Sequence, residues 1–397
     1  MLQPSPFEIA IPNNKIDRIL QRVRAYEWPQ PPRMRDGEDL WALGTDQTCL
    51  KELCDYWMGT YDWRKAEERL NSYPQFIAQV DGYDIHFLHV KSAASNPETV
   101  LLSHGWPGSV WEFYDSIDPL THPERFGGNA EDGVNVVIPS LIGYGFSGKP
   151  THPVSPAFIA QLWDKLMRQS LGYTSYLAQG GDFGAMISST LGSHYSALNG
   201  GGCKAVHLNM FAGIPGLPTE TEEENKWLAD YSAHLEQEGA YFYIQRSKPQ
   251  TLSFAMLDSP VGQCAWISEK FHGWTDRRGV DGSDSVFNAL SKDQILTNVM
   301  IYLVTDTFNT AAWLYRGFLE YAQTSPVFKR IDVPSGMAIY PKEFISWPPR
   351  SYVDRHYNIK RWTEFERGGH FAAMETGVKF AEEVLAFARQ VKAGYFA

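Results

Sequence analysis

The run Gln179-Gly180-Gly181-Asp182-Phe183-Gly184 sets one carboxylate among glycines, between the apolar run Tyr176-Leu177-Ala178 and a helix-forming stretch that begins Ala185-Met186-Ile187. A strand that turns this abruptly into a helix lifts a single side chain above the sheet edge. Backbone crowding in such a turn favours glycine at the flanking positions, here Gly181 and Gly184. Turns of this kind usually carry serine, which attacks carbonyl carbon. A carboxylate can displace at saturated carbon, and the ester it leaves must then be cleaved by water. Taken alone, Gly-x-Asp-x-Gly also describes an ordinary strand-to-helix loop, so the partners decide.

Ester cleavage requires a general base, an acid to orient it and donors for an oxyanion. Arg367-Gly368-Gly369-His370-Phe371 supplies a histidine in a loop after the last strand-like segment, and Tyr340-Pro341-Lys342-Glu343 supplies an acid just beyond the strand before it. Asp332 and Asp354 are rival acids, but the first lies before its strand and the second well down the following segment. Asp182, Glu343 and His370 then follow one another in the nucleophile, acid, histidine order of the α/β-hydrolases. After the run Val100-Leu101-Leu102-Ser103, the turn His104-Gly105-Trp106-Pro107-Gly108 can aim the N–H of Trp106 at the elbow, beside that of Phe183. Gly143-Tyr144-Gly145-Phe146-Ser147 reads as a positioning turn, since it lacks the context of a dinucleotide fingerprint or phosphate loop.

The elements needed to hold these groups can be read from periodicity. Residues 1 to about 77 read as helical and irregular: Ile16, Ile19, Leu20 and Val23 recur at helical spacing after the candidate caps Asn13 and Asn14, and Leu50, Leu53, Cys54 and Trp57 share a second helical face. Short strand-like runs follow at 85–90, 100–103, 134–138, 175–178 and 205–210, apolar enough in the later cases for a buried parallel sheet. Between about 215 and 325 helical patterns dominate, at 220–235, 261–271 and 295–321, before strand signals resume at 336–340 and 362–365 and a helix closes the chain from 377 to 391. The expected fold class is α/β: a mostly parallel sheet (78–214 and 326–397) with an inserted helical cap (215–325) and an N-terminal helical extension (1–77).

Composition narrows the functional classes. A formal net charge of −11 argues against nucleic acid or an anionic membrane as the main partner. Four cysteines, Cys49, Cys54, Cys203 and Cys264, lack C-x-x-C spacing, so zinc is not expected and a reduced, cytoplasmic setting is. Neither a signal peptide nor an apolar membrane span is read in the sequence.

In order along nearly the whole chain, the residues resemble the microsomal-type branch of the epoxide hydrolases. The motifs are Tyr61-Asp62-Trp63-Arg64-Lys65, Tyr73-Pro74-Gln75-Phe76, Asp84 to Val90, His104 to Ser109, Gly180 to Gly184, Ile244 to Pro249, Asp258 to Gly262 and Gly368 to Ala373. The resemblance implies an α/β-hydrolase fold and ring opening of a small-molecule epoxide, with water completing the diol and neither metal nor organic cofactor required. It implies a nucleophilic Asp182, with His370 as base oriented by Glu343, and Trp106 and Phe183 as oxyanion donors that also touch substrate. It adds two cap tyrosines that protonate the epoxide oxygen, Tyr241, for which Tyr243 competes, and Tyr315. Members that give the branch its name match after an N-terminal membrane anchor, whereas the match here starts almost at Met1, so a soluble protein is expected. The aromatic cap points to a lipophilic epoxide, and a homodimer through cap or N-terminal helices is left open. A haloalkane dehalogenase and a non-catalytic ligand receptor on the same fold are the competing readings.

Overall fold

Strands buried on both faces form the parallel centre of the sheet, because their sequences are apolar without alternation. Thr99–Ser103 (β4), Asn135–Pro139 (β5) and Tyr176–Gly180 (β6) are buried at every position. The computed structural model describes residues 3–212, 217–324 and 329–395. Around that centre lie Ser5–Phe7 (β1), Gln75–Val80 (β2), Tyr83–Val90 (β3), Cys203–Leu208 (β7), Ile331–Ile339 (β8) and Tyr357–Glu364 (β9), in the order β1-β2-β3-β5-β4-β6-β7-β8-β9. From β5 across to β9 neighbouring strands run parallel. The β1, β2, β3 and β5 pairings are antiparallel.

The helical reading of the first 77 residues did not contain β1 or the start of β2. Ser5-Pro6-Phe7 is too short to show a period, and its proline is tolerated because β1 is the edge strand. The face read from Leu50, Leu53, Cys54 and Trp57 is the buried face of helix Gln47–Gly59, which Asp46 caps by accepting from the N–H groups of Thr48 and Cys49. Asn13 and Asn14 do not cap their helix. Pro12 holds that position, and Asn13 Oδ1 instead accepts from the Arg64 guanidinium.

Between β7 and β8 the described chain is helical: Glu222–Glu238, Ala240–Ser247, Pro249–Asp258, Pro260–Trp274, Val286–Ala289, Lys292–Thr305 and Phe308–Thr324. The continuous pattern over 295–321 is thus two helices. Asp306 takes the left-handed conformation (φ 52°) after the first and breaks the run, a conformation that short polar side chains tolerate. The expected cap boundaries, between 214 and 215 and between 325 and 326, lie outside the described residues.

The N-terminal helices lie on this cap. Lys15 pairs with Asp306 at 2.6 Å, Arg22 with Asp258 at 2.5 Å and Lys292 with Glu52 at 2.6 Å, while the Tyr61 hydroxyl sits 3.2 Å from that of Thr297. Among the described residues no helix is long and apolar enough to cross a membrane, and no group of three or more His, Cys, Asp or Glu could hold a metal ion.

Candidate active site

Strand β4 lies at the middle of the whole sheet, flanked by β5 and β6, so the connections depart to opposite sides there. Open α/β sheets bind ligands outside the carboxyl ends of the strands at such a switch point. The residues after β4, β6, β8 and β9 meet at that edge.

Asp182 begins the helix Asp182–His194 with a left-handed backbone (φ 49°), the strained turn expected of an elbow. The glycines explain how it is tolerated. A Cβ on Gly180 would collide with the Gly184 backbone, and one on Gly184 with the Ser103 carbonyl of β4, whereas one on Gly181 would meet the side chain of Asn209. The strictest backbone demands therefore fall on Gly180 and Gly184.

The carboxylate is held from two sides. Trp106 N–H donates to Asp182 Oδ1 at 2.8 Å, and His370 Nε2 lies 3.5 Å from Oδ2. The amide of Phe183, in the first turn of its helix, has no carbonyl four residues earlier within the helix to engage it. Buried His104 fixes the Trp106 turn. Its Nε2 accepts from Leu141 N–H at 3.1 Å, which leaves Nδ1–H to donate to the Gly105 carbonyl at 3.0 Å. Burial lowers its pKa to about 4, so it acts as a neutral brace.

His370 Nδ1–H donates to Glu343 Oε1 at 2.7 Å, and both side chains are almost fully buried. The two turns that carry them are stitched together by Lys342 N–H donating to the Gly368 carbonyl at 3.1 Å. Burial disfavours the imidazolium, but the charges of Glu343 and Asp182 and their hydrogen bonds outweigh it and hold the His370 pKa well above its ordinary value. The rival acids are elsewhere: Asp332 and Asp354 are exposed and paired with Arg330 and Arg350.

Over Asp182 stands an aromatic box. Tyr241 stacks on Trp106 with ring centroids 5.3 Å apart, and Tyr315 meets Trp106 edge-on at 5.7 Å and Phe183 at 4.8 Å. Burial, with the Asp182 charge, pushes both phenols well above their ordinary pKa; a hydrogen bond from Tyr315 moderates this at Tyr241. Both stay protonated donors. Tyr243 points outward, 49% exposed beside Arg246, while Tyr241 is 7% exposed.

Comparison with known proteins decides the family. Residues 4–113 match the family described as the epoxide hydrolase N terminus, and residues 98–238 the alpha/beta hydrolase fold family. A Stigmatella aurantiaca protein whose curated name places it with the epoxide hydrolases is 41% identical over 98% of this chain and 86% of its own length. Epoxide hydrolase 1 of Sus scrofa is 31% identical over 96% of this chain and 88% of its own. The structure of Aspergillus niger epoxide hydrolase aligns with a TM-score of 0.82 at 30% identity, covering 98% of this chain and 97% of that one.

The chain belongs to the epoxide hydrolase family. As an epoxide hydrolase it converts an oxirane and water to a vicinal diol through a covalent aspartyl ester. Three residues that sequence reasoning missed support the site of this hydrolase. The Trp274 carbonyl accepts from His370 N–H at 2.8 Å, and its ring meets the imidazole edge-on at 5.0 Å. Asp276 accepts from Gly368 N–H at 3.0 Å and pairs with Arg278 and Arg367, which fixes the loop ahead of His370. Asn209 accepts from Gln179 at 2.9 Å and donates to the His370 carbonyl at 3.4 Å. None carries a local signal, because each acts through a fold contact distant in sequence.

Proposed function

We propose that Asp182 opens the ring while Tyr241 and Tyr315 hold and protonate the epoxide oxygen, and that His370, oriented by Glu343, then activates water against the ester. The observation that carries this reading is the division of labour at one carboxylate: Oδ1 on the Trp106 amide, Oδ2 toward His370. Attack through Oδ2 leaves Oδ1 already seated where an oxyanion will form, with the Phe183 amide as the second donor. The phenols stabilise the developing alkoxide because they are positioned before the reaction begins.

The protonation of His370 follows from the same geometry. In the resting enzyme two carboxylates favour the imidazolium. Esterification removes the Asp182 charge, so the imidazole pKa falls and the neutral base is released at the step that uses it. The aromatic box of Trp106, Phe183, Tyr241 and Tyr315 favours a lipophilic epoxide. Four free cysteines fit a cytoplasmic setting, and exposed Phe254, Leu257, Tyr243 and Ile244 on the cap fit pairing of two copies.

The test is a His370→Ala variant incubated with styrene oxide and digested for mass spectrometry. The expected result is a stable hydroxyalkyl ester on Asp182. Reproducible adducts at another carboxylate overturn the assignment.

A further inference from the structure

One acid at the site has no part in the steps above. Glu112 follows the Trp106 turn, in the short 3-10 helix Val110–Phe113. Its carboxyl folds back over Gly108, where even a Cβ would collide with it. The backbone N–H groups of Ser109 and Gly105 lie on the side that favours its anion. It faces a cavity of about 10 Å³ shared with Gly105, Trp106, Asp182, Asn209 and His370. A space of that size holds about one water molecule, and a buried water needs two to four polar partners. This wall supplies a carboxyl, a carboxylate, an imidazole and an amide.

We propose that Glu112 is a further catalytic residue, which holds the water that hydrolyses the Asp182 ester and points its oxygen at the ester carbon while His370 takes its proton. The inference rests on the covalent reading given above. Burial raises the Glu112 pKa to about 8, with the His370 and Asp182 charges acting in opposite directions, so at neutral pH the group offers one O–H donor besides its acceptor oxygen. A neutral acid suits the task, since a second anion would repel the oxyanion forming on Asp182.

The atoms balance. Water oxygen bonds to the ester carbon as one of its protons passes to His370 Nε2. The bond between that carbon and the diol oxygen then breaks, and His370 returns the proton to the departing oxygen. The remaining proton, left on the Asp182 carboxyl, replaces the one a tyrosine gave to the epoxide oxygen.

Single-turnover rapid quench with styrene oxide, read by intact mass, separates the two half-reactions in Glu112→Ala and Glu112→Gln. Ester formation is expected to stay within about twofold of the parent while ester hydrolysis slows about tenfold in Glu112→Ala, the scale of one lost hydrogen bond, so that ester accumulates. Glu112→Gln, which keeps the shape and can both donate and accept, is expected to restore part of the hydrolysis rate, and it carries the test if the alanine variant does not fold. Hydrolysis at the parent rate in both variants overturns the proposal. An equal fall in both half-reactions also overturns it, as the sign of a merely structural role. Absence of ester on Asp182 in His370→Ala would instead overturn the covalent reading beneath it.

Discussion

At the residue scale, chemistry turns on side chains whose neighbours tune them. Tyr241 and Tyr243 are two positions apart on the helix Ala240–Ser247, so they point to nearly opposite faces, and sequence left the pair unresolved because both faces are aromatic. The contact with Trp106 and the burial of Tyr241 separate them. Tyr241→Phe and Tyr315→Phe are each expected to slow ring opening by about 10- to 100-fold, up to the lower bound for general acid catalysis because the other phenol remains, while Tyr243→Phe leaves it within about twofold; pre-steady-state ester formation measures all three. The charge argument for His370 is testable in the same way. Asp182→Asn removes one of the two anions that hold its pKa up and leaves Glu343, so the His370 titration followed by NMR is expected to shift to lower pH than in the parent protein. An unchanged midpoint would mean that the two side chains do not interact as their 3.5 Å approach implies. The meeting of Asp182, His370 and Glu343 was legible because each follows a strand in a fixed chain order. Glu112 was not, for nothing in Val110-Trp111-Glu112-Phe113 marks a side chain that turns back on its own loop.

At the element scale, strands whose burial is complete were read close to their observed ends, because an apolar run bounded by turns has few alternatives. Edge strands and helix breaks were not: β1 is three residues long, and the Asp306 break interrupts a pattern that stays apolar on both sides. The loop ahead of His370 shows how elements distant in sequence share one task. Burial disfavours the Asp276 anion, but Arg278, the Gly368 amide and the Arg278 amide outweigh it and draw its pKa down to about 2. A folded-state pKa below the ordinary 3.8 means that the stabilising contribution is present above about pH 4 and is lost as pH falls through 2. Urea midpoints measured between pH 5 and pH 2 are therefore expected to fall more steeply for the parent than for Asp276→Asn, which lacks this titration. Equal slopes would remove Asp276 from the acid sensitivity of the fold. At neutral pH the same variant is expected to lower kcat more than it raises KM, since the Gly368 anchor positions His370, the proposed base, and not the substrate.

At the scale of the whole molecule, the cap and the sheet each hold part of the candidate site, and the N-terminal extension ties them together. The insertion of helices between β7 and β8 was legible from the change of period. The docking of the first helix upon that insertion was not, because its interface pairs a short apolar face with residues some 250 positions away and leaves no local mark. Glu67 is the knot of this arrangement. It accepts from Ile11 N–H at 2.7 Å and from Trp63 Nε1 at 3.1 Å and pairs with Arg64, so it fixes the entry to the helix Asn13–Arg24 on the helix Trp63–Leu70. Glu67→Ala leaves two donors without their acceptor, each costing about 1–3 kcal/mol, and a total loss of about 2–6 kcal/mol is expected in urea unfolding. The loss should be felt first where the extension meets the cap. Hydrogen exchange is expected to quicken in Asn13–Arg24, Pro260–Trp274 and Lys292–Thr305 while β4, β5 and β6 keep their protection. Because Trp274 both closes the second of these helices and braces His370, activity should decline along with that protection, at temperatures below those that unfold the sheet. A uniform rise in exchange across cap and sheet would show instead that Glu67 stabilises the molecule as one unit and that the extension is no separate clamp.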